Sequence, residues 1–275
     1  MTLFEALKIA KQKLIACNID SASLDASLIL SHLTKYSKVQ LITHDTEVLS
    51  KELLDNYFSL IEKRSLGYPT AYILGYKDFW TFSLKVTEDT LIPRPDTETL
   101  VQAAIDLNIQ GNVLDLGTGS GAIILALKSE YKDHIKAFAC DYSQKALDVA
   151  IENSKALHLD VDFRHSNWFS AFSDMKFSMI VSNPPYIEST DDHLNQLSLP
   201  FEPASALSSG IDGLDDIRAI CKDASNYLLD NSPLLIEHGY NQGQAVREIF
   251  GSCGFKKVNT IKDLENRDRV TIGFW

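Results

Sequence analysis

The chain has 275 residues, 45% of them hydrophobic and 9% aromatic, with 26 Lys+Arg against 37 Asp+Glu and a formal net charge of −11. That composition supplies a packed core for one or two domains and excludes disorder along the whole chain. No apolar run approaches the roughly 20 residues that span a bilayer, and the opening MTLFEALKIAKQKL lacks a signal-peptide layout, so a soluble, cytoplasmic protein with no membrane contact is expected.

Thr2 followed by Glu5 fits a capping box, and Leu3, Leu7, Ala10 and Leu14 recur at helical spacing, which predicts a first helix. Ser23 is expected to cap a second helix through LDASLILSHLTKY. TEVLSKELLDNYFSLIEKR reads as a longer one, with Leu49, Leu53, Phe58 and Ile61 among its apolar positions. Gly67, Pro69 and Gly75 then break the pattern, so residues 1–75 are expected to form a small helical bundle domain. FWTFSLKV has the composition of a strand, and the two prolines of IPRPDTE exclude a helix, making 76–96 a β-containing linker.

A different architecture is expected over residues 97–275. Four apolar runs, NVLDL, IKAFACD, FSMIVSN and PLLIEH, are separated by the helical patterns AIILALKSEY, SQKALDVAIENSKAL and LDDIRAICKDASNYLL. Strands alternating with helices predict an α/β fold with a mostly parallel sheet covered on both faces. FKKVNTIKDL and RVTIGFW add two strands, expected to pair antiparallel at the edge.

The four cysteines form no C-x-x-C pair, and the seven histidines show no H-E-x-x-H spacing, so no metal site is expected. Cutting the chain at Thr90 leaves a net charge of −1 before it and −10 after it. A protein that grips nucleic acid through phosphates needs a basic face, and neither part advertises one.

The most informative local feature is VLDLGTGSGAIILAL: a strand, then Gly117, Thr118, Gly119, Ser120 and Gly121, then a helix. Glycines there let the backbone turn tightly and approach a ligand closely. The next strand ends in Asp141, 26 positions after Asp115, where an acid can accept both hydroxyls of a ribose. Asp141 can equally cap the helix that begins near Ser143, and the two roles are compatible. Nicotinamide dinucleotides and S-adenosylmethionine both carry an adenosine ribose, so loop and acid do not choose between them.

NPPY, Asn183-Pro184-Pro185-Tyr186, follows the strand FSMIVS and makes the choice. Proline keeps its carbonyl while losing its amide donor, and holds the residue before it extended. The Asn183 side-chain oxygen and the Pro184 carbonyl then form two fixed acceptors for a planar –NH2 group, with an aromatic face from Tyr186. Methyl transfer from a sulfonium needs the acceptor nitrogen in line with the S–CH3 bond, so orientation supplies at most roughly 7–11 kcal/mol of the acceleration. Accepting both N–H hydrogens also stabilises charge developing on that nitrogen. No strong general base is obligatory.

DLGTGSGAI, Asp141, the SNWF tetrad at Ser166–Phe169, VSNPPYI, FEP at Phe201–Pro203, EHG and IPRPDTE together resemble the protein-(glutamine-N5) methyltransferase family that modifies bacterial peptide chain release factors. The resemblance spans essentially the whole chain. It implies a Rossmann-like class I methyltransferase with a mostly parallel seven-stranded sheet and an N-terminal α-helical bundle that recognises substrate. It further implies transfer of a methyl group from S-adenosylmethionine, leaving S-adenosylhomocysteine, to the glutamine amide of the release factor's GGQ motif, in support of translation termination.

Carried over by position, Gly117–Gly121 holds the methionine part, Asp141 the ribose, and Trp168 packs near the adenine. Asn183, Pro184, Pro185 and Tyr186 bind the glutamine amide; Asn183, Pro184 and Tyr186 are the candidate catalytic set, with Asn183 also at the cofactor. Asn167 stands where the family often has Asp, and its amide oxygen can still accept. Arg94 either orients the cofactor or a neighbouring carboxylate, or the PRP segment only fixes the path of the interdomain link; Glu98 and His238 have no assigned role. The alternative enzyme is an amino-methyltransferase for adenine or guanine of DNA or RNA, which the charge distribution disfavours. A binding module that keeps the cofactor without turnover is the reading of another class, and the paired glycine loop and NPPY speak against it.

Overall fold

The computed structural model describes residues 1–196 and 198–275. By contacts the chain forms two units, Met1–Gly75 with Gln196–Phe201, and Tyr76–Asn195 with Glu202–Trp275. Among the described residues, no helix is long and apolar enough to cross a membrane.

The first unit is helical: α1 (Leu3–Ala16), α2 (Ala22–Thr34), α3 (Lys38–Thr43), α4 (Lys51–Ser65) and α5 (Thr70–Leu74). The capping box at Thr2 and Glu5 is present, and Leu3, Ala6, Ala10 and Leu14 bury one face of α1. They pack with Ile29 and Leu30 of α2 and Tyr57 and Ile61 of α4. Burying each leucine or isoleucine among them contributes about 1.5–3 kcal/mol. The Tyr57 hydroxyl, carried into this core, donates to the Ala26 carbonyl at 3.0 Å.

Ser23 is not the cap of α2: the helix starts after Ser21, and Ser23 lies within it. Ser21 instead donates to Asp25 Oδ2 at 2.6 Å, and Arg64 Nε donates to the same oxygen at 2.8 Å. The expected long helix is α4, which begins after Ser50, whose hydroxyl accepts the Leu53 amide, so Leu49 precedes it.

The second unit opens with a hairpin, β1 (Tyr76–Phe79) and β2 (Phe82–Lys85), where a single strand was expected. The reversal falls at Trp80, whose φ of +55° is unusual for a bulky residue. IPRPDTE also ends differently from expectation: a 3-10 turn over Pro95–Thr97 leads into α6 (Glu98–Asp106). Proline is compatible with the first turn of a helix, where its missing N–H is not needed.

The sheet then forms from β3 (Gly111–Leu116), β4 (Ile135–Asp141), β5 (Val161–His165), β6 (Met179–Ser182), β7 (Pro233–Glu237), β8 (Lys256–Lys262) and β9 (Asp268–Phe274). Its order is β5-β4-β3-β6-β7-β9-β8. The pairs from β5 through β7 are parallel, and β9 runs antiparallel between β7 and β8, as the tail predicted. Helices α7 (Ala122–Tyr131), α8 (Gln144–Leu157), α9 (Asp215–Ala224) and α10 (Gly243–Ser252) complete the unit.

Two apolar clusters flank the sheet, because its central strands alternate faces. Val113 and Val181 join one with α6 and α7; Leu114, Leu116 and Ile180 join the other with α9 and α10. The chain leaves β3 toward β4 and β5 and later returns on the other side as β6 and β7. A crevice therefore opens at the carboxyl ends of β3 and β6, which run side by side with Leu116 opposite Ser182.

Candidate functional site

The glycine loop leaves β3 and NPPY leaves β6, so the strand pairing brings them together at one sheet edge. Gly117, Gly119, Asp141, Trp168, Asn183 and Pro185 all line one cavity of about 580 Å³. Glu88, Asp89 and Asp216 add carboxylates to its wall, and Asn167 also lines it. Thr118, Ser120, Gly121, Pro184 and Tyr186 do not.

Those five are held within the surrounding structure. Thr118 is buried and donates from Oγ1 to Asp115 Oδ2 at 2.6 Å, while its amide donates to the Cys140 carbonyl at 2.9 Å. Ser120 is buried, and its carbonyl accepts Asn153 Nδ2 at 2.9 Å. Gly121 is the N-cap of α7 at φ +86°, a conformation that a side chain would strain. Pro184 is buried. Tyr186 donates its hydroxyl to Glu237 Oε1 at 3.5 Å, and burial holds its pKa above the usual phenol value.

Asp141 is engaged by the chain itself. Gly119 donates its amide to Oδ2 at 2.9 Å and Ser143 donates to Oδ1 at 2.8 Å. The residue that caps α8 is Ser143, which accepts the Ala146 amide, and Asp141 steadies the turn that leads into it. Burial raises the Asp141 pKa, and those two N–H groups oppose the rise. Each carboxylate oxygen keeps a second lone pair for a ligand hydroxyl.

Beneath the loop, Asp115 is fully buried and its Oδ1 has no hydrogen-bond partner. Burial pushes its pKa up to about 7, and the Asp141 charge adds to the rise. Trp168 sits at φ +47°, with its carbonyl accepting Ser166 Oγ at 2.8 Å and Cys140 Sγ at 3.3 Å. Its ring lies against Gly117, where a Cβ would come within 3.4 Å of the indole.

The NPPY segment is braced by residues that its motif did not advertise. Asn183 Nδ2 donates to Thr97 Oγ1 at 3.3 Å. Gln242 Nε2 donates to the Tyr186 carbonyl at 2.9 Å. A Cβ on Gly213, which has φ +71°, would lie 2.2 Å from that same carbonyl oxygen. Thr97 and Glu237 fall inside IPRPDTE and EHG, so a signal for them existed, but nothing in the string paired either with NPPY.

The roles left open now have geometry. Arg94 donates from Nη2 to Glu202 Oε1 at 2.5 Å, and the Ile92 amide donates to Glu202 Oε2 at 3.1 Å. Arg94 thus orients a buried carboxylate, next to Pro203 of the cavity wall. Glu98 Oε1 accepts the Trp80 amide at 2.9 Å, tying the hairpin to α6. His238 is fully buried, with Nδ1 at 2.9 Å from the Gly239 carbonyl and Nε2 at 2.9 Å from Thr271 Oγ1. With both ring nitrogens used, its role is structural.

The arrangement suits a nucleoside-bearing cation. Glycine backbone floors the crevice, an indole and a carboxylate with spare acceptor capacity stand beside it, and further acids line the wall. An amide side chain faces the same space from the neighbouring strand.

Comparison with known proteins places the chain in a family. Residues 5–75 match the family model described as "PrmC N-terminal domain", and residues 95–207 match "Methyltransferase small domain". The release factor glutamine methyltransferase of Vibrio cholerae is 44% identical over 277 residues, covering 99% of this chain and 96% of that protein. The Pseudomonas aeruginosa protein of the same name is 45% identical over 258 residues, covering 93% of each. Among solved structures, a methyltransferase from Pyrococcus furiosus aligns with a TM-score of 0.54 at 14% identity, covering 80% of this chain and 98% of that one. The T. thermophilus 16S rRNA N2 G1207 methyltransferase, in complex with AdoMet and guanosine, aligns with a TM-score of 0.51 at 17% identity, covering 72% and 49%. These two likenesses are of fold. With near-full-length identity above two in five residues and both family models in chain order, the chain belongs to the release factor glutamine methyltransferase family.

Proposed function

We propose that the chain transfers a methyl group from S-adenosylmethionine to the side-chain amide nitrogen, N5, of the glutamine in the GGQ motif of peptide chain release factors, acting in the cytoplasm. The observation that carries this reading is Asn183. It lines the cavity shared with the glycine loop and Asp141, and its own amide nitrogen is taken up by Thr97, leaving its oxygen for a substrate N–H.

When bound, S-adenosylmethionine supplies an electrophilic methyl carbon on a cationic sulfur. Asp141 would accept from the ribose hydroxyls, Gly117 and Gly119 would let the methionine part lie close to the backbone, and Trp168 would cover the base. Asn183 Oδ1, with the Pro184 carbonyl, would accept the two hydrogens of the glutamine amide and aim its nitrogen. Because the nitrogen gains positive character as its bond to the methyl carbon forms, those acceptors stabilise the transition state more than the ground state, and the amide gives up one N–H proton to solvent as S-adenosylhomocysteine leaves. Pro185 would wall the glutamine side chain, and Tyr186, tied to Glu237, would fix the segment that carries it.

The helical unit would bind the release factor away from its GGQ loop. Val39, Ile42 and Val48 of that unit are exposed, which supports a protein-facing role. The test offers labelled S-adenosylmethionine with release factor, DNA and RNA in parallel. The expected result is one methyl group on the GGQ glutamine; label on nucleic acid alone would overturn the substrate assignment.

A further inference from the structure

The carboxyl group of Glu237 has no part in the roles above, yet it lies beneath NPPY. It ends β7, is fully buried, and its Oε2 lacks any hydrogen-bond partner. Its other oxygen receives the Tyr186 hydroxyl at 3.5 Å. Thr97 lies within reach of this carboxyl, and its hydroxyl opposes the rise in pKa that burial causes there. Thr97 itself is buried and takes Asn183 Nδ2 at 3.3 Å.

We propose that Glu237 and Thr97 are positioning residues for Asn183: the carboxylate takes the Thr97 hydroxyl hydrogen, so Thr97 can only accept from Asn183, which must then turn its oxygen toward the glutamine amide. The inference rests on the methyltransferase reading given above. An ionised carboxylate only accepts, and a threonine hydroxyl has a single hydrogen, so once that hydrogen is spent on Glu237 the amide of Asn183 has one satisfactory orientation. In the opposite orientation two acceptors would face each other at Thr97, and Asn183 would present N–H groups to a substrate that is itself a donor. Tyr186, hydrogen-bonded to the same carboxyl, is fixed with it.

The relay has a pH dependence of definite sign. Burial pushes the Glu237 pKa up to about 7. The groups facing it are Thr97 and Asp96 from the turn before α6, Arg269 from β9, and Tyr186 from the segment after β6. Arg269 favours the ionised form and Asp96 disfavours it, while Arg269 is itself shared with Asp96 and Asp263 at 3.1 Å each. A protonated Glu237 becomes a donor to Thr97, the threonine hydrogen is released toward Asn183, and the amide turns over. Transfer therefore falls as pH drops through the Glu237 titration.

Thr97→Val keeps the shape and removes both donor and acceptor; Thr97→Ser keeps the hydroxyl. Loss of one oriented hydrogen bond predicts that Thr97→Val lowers kcat about tenfold or more, with release-factor KM and S-adenosylmethionine Kd each within about twofold. Thr97→Ser is expected to recover kcat to within about threefold of wild type. In Glu237→Gln, which can accept from Thr97 at any pH, the acid limb of kcat between about pH 6 and about pH 8 is expected to vanish. Unchanged kcat in Thr97→Val with normal cofactor binding, or failure of Thr97→Ser to recover activity in a folded, cofactor-binding protein, would overturn the relay. So would an acid limb that persists in Glu237→Gln. Wild-type transfer to the release factor is the control that separates the two levels: its absence sinks the functional reading, whereas its presence beside an unaffected Thr97→Val sinks only the relay.

Discussion

Gly119 donates its backbone N–H to Asp141 Oδ2 at 2.9 Å, so the glycine loop and the acid of the adjacent strand are locked to one another. The loop's conformation and the acid's orientation are consequently one property. Asp141→Ala should weaken S-adenosylmethionine binding about tenfold or more, from lost charge-assisted hydrogen bonds and a loosened loop. Asp141→Asn should fall between, since it keeps one acceptor oxygen but turns an NH2 toward one of two backbone donors. Calorimetric titration distinguishes them; equal affinity in all three proteins would exclude Asp141 from the cofactor site.

Asn183→Ala removes the acceptor while leaving the glycine loop and Asp141 untouched. Loss of an oriented acceptor for developing charge is expected to reduce kcat by about a hundredfold or more. Cofactor affinity should stay within about threefold of wild type, the difference between losing transition-state contacts and losing uniform binding. Single-turnover transfer to release factor measures the first quantity and equilibrium titration the second.

Stability and turnover should respond to pH in opposite directions. Burial pushes both Asp115 and Glu237 up to about 7, from ordinary values of 3.8 and 4.5. Between those limits the folded chain binds more protons than the unfolded chain, so stability is greatest on the acid side of the window and declines as pH rises through the folded values. A drop in Tm on the order of a few degrees is expected between about pH 5 and about pH 7.5. Asp115→Asn should flatten that slope; a Tm that rises with pH over the window, or a slope untouched by the substitution, would contradict the burial argument.

The helical unit offers a separate test. In α3 only Leu41 is buried, while Val39 and Ile42 are 67% and 75% exposed, three positions apart on one face. Replacing both by Lys should raise KM for intact release factor about tenfold, with KM for a short GGQ peptide unchanged. A parallel rise for both substrates would place the effect in the catalytic unit.

Much of the site could be read because its signals are local. AIILALKSEY has the bounds of α7, and the glycines before it mark the turn from β3. The strand β5 gave no such signal: VDFRH has no fully buried position at the sheet's edge and contains no apolar run. Helix α10 buries little besides Val246 and Phe250, too sparse a pattern to stand out in QAVREIF. The hairpin at Trp80 was hidden because a positive φ at a tryptophan has no sequence signature. Arg94 and Glu202, or Thr97 and Glu237, are more than a hundred positions apart, and only the strand order brings such partners together.

Gly213 shows how such distant pairing limits the chain's evolution. No side chain there touches a ligand, and the residue has no charge or reactive group, yet the smallest addition would collide with the Tyr186 carbonyl. That carbonyl belongs to backbone already tied to Gln242, so it has little room to yield. The position should accept almost no drift, while Val39 and Ile42 can vary with the surface of whichever partner each lineage carries. A family tree of this enzyme would then record two clocks in one polypeptide, one nearly stopped by a missing methyl group and the other free to run.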